Sequence, residues 1–320
     1  SILINCGHFS YAEIPNVFTF IMGVTGTLQT LNKAEREVIE NVYEIKKNTY
    51  APSVFGKNNC RFIYKDDVLI ENANDYHRTI MKEIQARLAG NSGSRAVLVF
   101  FESAKKLIEC LESEVFREMK DKIDYLTEEA NRQERETRIK RASSSGQITF
   151  LTRTFGRGTD FVCHDEKVNN NGGVHVLQTF VSEEPSEEVQ IRGRTSRQGN
   201  LGSFSMVLLD SSLEKFLITS GDLENVKKGA GLAKRVFISA INMGTKQYFN
   251  DYELINDRRN ELFESQYHEN QKSVDTANKY HQESLEFLQA LESNEIQKIK
   301  NFLFSENKGA SETNKSKTLV

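Results

Sequence analysis

Gln147-Ile148-Thr149-Phe150-Leu151-Thr152, Gly156-Arg157-Gly158-Thr159-Asp160, Gly172-Gly173-Val174-His175-Val176-Leu177 and Gln190-Ile191-Arg192-Gly193-Arg194-Thr195-Ser196-Arg197-Gln198-Gly199 follow one another in that order. The last leads into Ser203-Phe204-Ser205-Met206-Val207-Leu208-Leu209. Short apolar runs that each lead into a glycine- and charge-rich loop are the pattern of strands buried in a parallel sheet with functional loops at one edge. The fold class that follows is α/β, a parallel sheet with helices on both faces. Ligands in such open sheets bind at the carboxyl ends of the strands, and the functional loops are expected there. Arg194 and Arg197, three apart beside Gly193, suit polyphosphate recognition, because rigid guanidinium forks match phosphate oxygens.

In this order and spacing the strings resemble motifs V and VI of superfamily 2 motors, and more narrowly the SecA preprotein-translocation ATPase family. That family carries Ala-Gly-Arg-Gly-Thr-Asp after a strand, then Gly-Gly-Leu-His-Val, then Gln-x-x-Gly-Arg-x-x-Arg-Gln-Gly. Gly156 to Asp160 and Gly193 to Gly199 match letter for letter. Val17-Phe18-Thr19-Phe20-Ile21-Met22-Gly23-Val24, closing on Thr25-Gly26-Thr27, has a buried-strand composition and resembles motif III, with Leu31 to Tyr43 as the next helix. Phe101-Glu102-Ser103 ends the clearest strand, Ala96 to Phe101, and resembles motif IV. Ser103 would be the N-cap of a helix whose core face is Leu107, Ile108, Leu111, Val115, Phe116 and Met119. Tyr252-Glu253-Leu254-Ile255-Asn256-Asp257-Arg258-Arg259-Asn260 is similar to the Tyr-Asp-Asp-Val-x-Asn-x-Gln-Arg signature of the family's helical scaffold, which general superfamily 2 helicases lack.

The resemblance implies a RecA-like sheet followed by an α-helical scaffold. Residues 1–50 would be the remnant of a first RecA-like domain, 51–210 the second, 211–305 the scaffold and 306–320 a disordered tail. Arg194 and Arg197 would be arginine fingers, on the edge of a helix that begins near Pro185. Asp160 would accept a hydrogen bond from a ribose, and Arg157 would couple the cleft to the rest of the motor. Gln190 and Gln198 hold family positions in motif VI, Gln198 orienting the loop. Gly156, Gly158, Gly193 and Gly199 are backbone requirements first. The implied cofactor is ATP with Mg²⁺, whose ligands would come from a first RecA-like domain of the same or a partner chain. The other implied partners are unfolded polypeptide and a peripheral membrane contact, with nucleic acid less favoured and a cytoplasmic location.

Other readings stay open. The two arginines could close a helix against its C-terminal dipole, and Arg157 and Asp160 could be structural ion pairs. The whole could be an RNA-remodelling helicase domain or a RecA-like fold kept as an interaction module. Three departures bear on the choice. Glu183-Glu184-Pro185-Ser186-Glu187-Glu188 replaces a basic pair of the family, Arg153-Thr154-Phe155 stands where Asn-Met-Ala is usual, and no Cys-x-Cys tail follows the scaffold.

Bulk properties narrow the field. A chain of 320 residues has room for a sizeable core. A net charge of −3 gives no global basic signature for nucleic acid. Cys6, Cys60, Cys110 and Cys163 stand too far apart for a zinc knuckle or a disulfide framework. Residues 46–70 read as a linker, and 74–88 as a helix. Residues 117–141 read as a solvated, charge-mixed helix, and Cys163 to Asn171 as a polar surface loop. Asp165-Glu166 imitates an Mg²⁺-binding pair but follows motif V, where the family has none. Leu285 to Phe302 suggests one more helical element. No Gly-x-x-x-x-Gly-Lys-[Ser/Thr] occurs, and the chain opens at Ser1 in an apolar-rich segment. A piece of a longer protein, inert toward ATP by itself, is therefore expected.

Overall fold

In the computed structural model, which describes residues 11–90, 93–232, 248 and 250–305, the apolar runs form the centre of a seven-stranded sheet. The strands are β1 (Asn59–Arg61), β2 (Val68–Glu71), β3 (Val97–Phe101), β4 (Ile123–Leu126), β5 (Ile148–Thr152), β6 (Val174–Gln178) and β7 (Leu201–Leu209). Their order is β1-β7-β6-β3-β5-β4, with β2 following β1 along β7. Every pairing is parallel. The helices are α1 (Lys33–Glu37), α2 (Tyr76–Leu88), α3 (Ala104–Leu111), α4 (Arg132–Ala142), α5 (Glu166–Asn170), α6 (Pro185–Arg192), α7 (Ser220–Leu232), α8 (Asp251–Glu292) and α9 (Ile296–Ser305).

Strand alternation sends β3 into two cores. Leu98 and Phe100 pack with Val168 of α5, Ile191 of α6 and Leu254 and Ile255 of α8. Val97, Val99 and Phe101 pack with Ile80 and Ile84 of α2 and Leu107 and Leu111 of α3. Helices therefore cover both faces, as expected of a RecA-like sheet. Contacts divide the chain into a sheet-bearing unit, Thr25–Asn32 with Asn48–Phe263, and a second unit of Ser1–Val24, Lys33–Lys47 and Glu264–Val320. In the second unit Phe287 of α8 stacks on Phe302 of α9, with ring centroids 4.4 Å apart. No helix among the described residues is long and apolar enough to cross a membrane.

Several sequence expectations change. Val17 to Val24 forms no strand, and Phe20, Met22 and Val24 are 88%, 91% and 102% exposed. A parallel strand has hydrogen-bond partners only in its neighbours, and among the described residues no strand flanks this one. Residues 46–70 are more than a linker, because β1 and β2 both extend the sheet along β7. The charged stretch 117–141 contains the edge strand β4, whose Ile123 and Leu126 are buried. Its outer backbone is occupied: Asp124 Oδ1 accepts from the Tyr125 N–H at 3.0 Å, and Arg138 of α4 donates to the Tyr125 carbonyl. Blocking an edge in this way guards against strand pairing. α4 itself is solvated as expected, burying only Ala142, and starts on an Asn131–Glu134 capping box.

The helix after Ser103 keeps its N-cap, with the Lys106 N–H donating to Ser103 Oγ, but stops at Leu111. There Ser113 Oγ donates to the Cys110 carbonyl at 2.7 Å. Cys163 to Asn171 is not all loop, since Asp165 caps α5 by accepting from the Lys167 N–H at 2.9 Å. The element expected from Leu285 to Phe302 is two helices, broken where Asn294 turns left-handed (φ 56°). The expected tail, 306–320, lies outside the described residues.

One buried cluster carries a pH dependence. His175 of β6 is wholly buried, with Nδ1 2.8 Å from Ser203 Oγ and Nε2 3.0 Å from Ser205 Oγ on β7. Arg95 donates to that same Ser203 Oγ at 2.7 Å and to the Gly172 and Gly173 carbonyls. Ser203 Oγ accepts from Arg95, and the neutral imidazole shares its single N–H between contacts to the two serine hydroxyls. Burial, then the Arg95 charge, hold the His175 pKa well below its ordinary 6.5. The unfolded chain therefore binds a proton that the folded chain refuses as pH falls below that value. Stability should fall by up to about 1.4 kcal/mol per pH unit below pH 6.5. Urea denaturation at pH 7.5 and 5.5 checks this, and His175→Gln should remove its share of the slope.

Candidate functional site

β5 delivers the chain into a 3₁₀ turn, Arg153–Gly156, and then into the Arg157 to Asp160 loop. Gly156 lies under α6, where a Cβ would come within 2.5 Å of Ile191 Cγ1. Gly158 takes φ +64°, which only glycine adopts at no steric cost. Pro185 occupies the first turn of α6, and Gly193 caps its end. The helix stops at Arg192, so Arg194 and Arg197 ride on the turn beyond it rather than on its edge. Ser196 and Gln198 in that turn are both left-handed, at φ 54° and 53°. Such conformations cost non-glycine residues on the order of 1–3 kcal/mol each and cluster at functional sites.

The turn brings the two motifs together. Arg194 Nε donates to the Gln190 carbonyl at 2.9 Å, and its Nη1 donates to the Thr159 carbonyl. The Arg197 guanidinium lies against the Asp160 carboxylate. Partial burial lowers the pKa of both arginines, which remain charged. Asp160, Arg197, Gln198 and the Gly193 backbone line a cleft of ≈ 420 Å³ with Asn58, Val162 and Cys163. Gly156, Gln190 and Arg194 do not line it: Gly156 packs on Ile191, and Arg194 bridges the Gln190 and Thr159 carbonyls. Arg157 turns aside to Glu184, at 2.7 Å. A larger hollow, ≈ 650 Å³, lies between β4 and α4 but is lined by none of the candidate site residues.

The cleft is not at the carboxyl ends of the strands. Thr195 Oγ1 donates to the Val174 carbonyl at the start of β6, and Asn59 Nδ2 donates to the Gly199 carbonyl beside the start of β7. The Arg194–Asn200 segment is the lead-in to β7 and must sit at that strand's amino end. The motif V loop reaches it by running back across the sheet face, where Ser145 N–H donates to Asp165 Oδ2 ahead of β5.

Two ion pairs at the start of α6 escaped the sequence reading. Arg153 meets Glu187 of α6 with a bidentate pair at 2.8 and 2.6 Å, so two of the departures from the family pattern contact each other. That opposite charge was the available signal. Glu188, next along α6, pairs at 2.9 Å with Arg259 of α8, and both side chains are 2% exposed. Arg259 also donates to the Ser182 carbonyl at 3.0 Å and to Asn256 Oδ1, while the Tyr252 hydroxyl donates to Glu188 Oε1. Burial and then Glu188 push the Tyr252 pKa up, so it stays a neutral donor. The ring of Tyr252 stacks on Tyr64 at 4.6 Å. Two residues of the 252–260 string, Tyr252 and Arg259, thus fasten the start of α8 to α6, with Asn256 holding Arg259.

Chemically, the cleft presents a guanidinium suited to an anion and a carboxylate suited to a hydroxyl donor. Among the described residues no group of three or more His, Cys, Asp or Glu could hold a metal ion.

Over 240 residues the chain is 28% identical to the protein translocase subunit SecA of Campylobacter fetus, covering 72% of this chain and 26% of that protein. It is 30% identical over 218 residues to SecA of Campylobacter lari, covering 66% and 23%. To SecA 2 of Bacillus cereus it is 30% identical over 205 residues, covering 62% and 24%. The chain spans about a quarter of the length of these curated relatives. No family model matches. Among solved structures, domain 2 of the Mss116p DEAD-box helicase bound to an RNA duplex aligns with a TM-score of 0.36 at 21% identity, covering 55% of this chain and 62% of that one.

Proposed function

Because this chain is a distant homologue of the SecA proteins over ~70% of its length, we propose that it supplies the arginine-finger half of the ATP site of a SecA-like protein-translocating motor. The observation that carries the reading is the meeting of Asp160 and Arg197, from two separate motifs, at one open cleft. ATP would lie between this cleft and a first RecA-like domain that brings the phosphate loop, the Mg²⁺ ligands and the base for the attacking water. Mg²⁺ would neutralise charge on the phosphates from that side. On this side Asp160 accepts a ribose hydroxyl, and Arg197 stabilises charge developing on the transferred phosphoryl. Arg194, bonded to the Thr159 and Gln190 carbonyls, positions the Asp160 loop against the end of α6. α6 then links the cleft to the scaffold, since Glu188 near its start holds Tyr252 and Arg259.

The charge at the carboxyl edge of the sheet favours polypeptide over nucleic acid as the moved substrate. Glu102 follows β3, Glu128 and Glu129 follow β4, and Glu183 follows β6. Two basic groups there are paired with acids: Arg153 with Glu187, and Lys215 with Glu102 at 2.7 Å and Glu183 at 3.8 Å. Phosphodiester binding draws on free lysine and arginine. Combined with a matched first RecA-like domain, the chain should hydrolyse ATP and be stimulated by unfolded polypeptide. Stimulation by RNA instead would select the helicase reading. An unchanged cellular phenotype on alanine substitution of Arg194 and Arg197 would select the interaction module.

A further inference from the structure

We infer that Asp160 is a specificity gate for Arg197, keeping the finger occupied until a nucleoside, rather than a bare polyphosphate, enters the cleft. The inference rests on the ATP-site reading above and goes beyond the ribose contact assigned there. Among the described residues the Asp160 carboxylate meets one cation, Arg197, and the guanidinium of Arg197 meets one acid, Asp160. Their side chains are 63% and 35% exposed, so a ligand in the cleft reaches both. The backbone around Asp160 is fixed, with the Thr159 carbonyl held by Arg194 and Phe161 buried in the core. Only the carboxylate is left to swing. Arg197 stands between left-handed Ser196 and Gln198, at the start of a single 3₁₀ turn closed by the Asn200 N–H donating to the Arg197 carbonyl at 3.0 Å.

The two classes of ligand meet this pair differently. A phosphate chain alone must displace the carboxylate from Arg197 and is repelled by it throughout. A nucleotide brings ribose hydroxyls that donate to the carboxylate, drawing it from the guanidinium and freeing the fork for phosphate. Recognition of the sugar thereby becomes a condition for engaging the phosphate. Exposed ion pairs are individually weak, so the gate is graded: a several-fold preference rather than an absolute block.

The test is an NMR titration of the chain followed at the arginine side-chain Nε–H signals, with inorganic tripolyphosphate and ATP as separate ligands. Asp160→Asn should bind tripolyphosphate about five-fold more tightly than wild type. Its preference for ATP over tripolyphosphate should fall about ten-fold, because the charge-assisted ribose bond is lost as well. In an Arg197→Ala background most of the gain for tripolyphosphate should vanish. If Asp160→Asn weakens ATP binding but binds tripolyphosphate no more tightly, Asp160 is a plain ribose contact; the gate is overturned and the ATP-site reading stands. If neither ligand moves the Arg197 signal in the wild-type chain, the ATP-site reading falls and takes the gate with it.

Discussion

Arg197→Ala is expected to lower ATP turnover by the reassembled motor by about 10³- to 10⁵-fold, the range in which an arginine finger acts on phosphoryl transfer. The loss should fall on kcat far more than on KM, because the guanidinium is needed most where charge spreads over the phosphoryl oxygens in the transition state. Arg197→Lys should rescue little, since an ammonium offers a point charge in place of a planar fork. Arg194→Ala should behave differently. Its side chain is spent on the Thr159 and Gln190 carbonyls, so its loss should loosen the Asp160 loop and raise KM for ATP as well. Single-turnover measurements at saturating ATP separate the two. An Arg197→Ala motor whose chemical step stays within ten-fold of wild type would remove this residue from the phosphoryl-transfer site.

Arg259→Ala should destabilise the sheet-bearing unit by about 3–5 kcal/mol, the usual cost of stranding one partner of a buried ion pair. Glu188 would be left 2% exposed with the Tyr252 hydroxyl as its remaining partner. The converse change, Glu188→Ala, should cost a similar amount, because Arg259 would keep only the Ser182 carbonyl and Asn256. Arg259 Nε is already buried without an acceptor, so that guanidinium has little reserve. Replacing both together by apolar residues of matched volume, Glu188→Leu with Arg259→Met, should recover much of the loss. Urea denaturation of the single and double variants measures the coupling. A loss below 1 kcal/mol in Arg259→Ala would show that the start of α8 is fastened by its apolar side, Leu254 and Ile255, instead.

Strands β3, β5, β6 and β7 were legible in the sequence because each is a short apolar-rich run, its few polar residues buried with the rest, set off by glycine- or charge-rich loops. α6 announced itself through Pro185, and α3 through the Ser103 cap. β1, β2 and β4 did not show, since three or four residues in polar surroundings carry no readable period. Val17 to Val24 erred in the opposite direction: composition marks a strand, but a strand exists only beside another. At the site, the motif strings named Asp160 and Arg197 yet could not say which edge of the sheet they share. That followed from the short lead-in to β7, a matter of where the chain has room to turn. Arg153 with Glu187 and Glu188 with Arg259 join residues far apart in the chain, beyond any local pattern.

The occupied flank of β4 has a consequence for assembly. With the N–H and the carbonyl of Tyr125 both taken by side chains of the same molecule, no foreign ribbon can zip onto the sheet from that border. A neighbour approaching there, of whatever kind, would have to grip the molecule through its side groups, and open-ended growth by annexing strand after strand is closed off on that side.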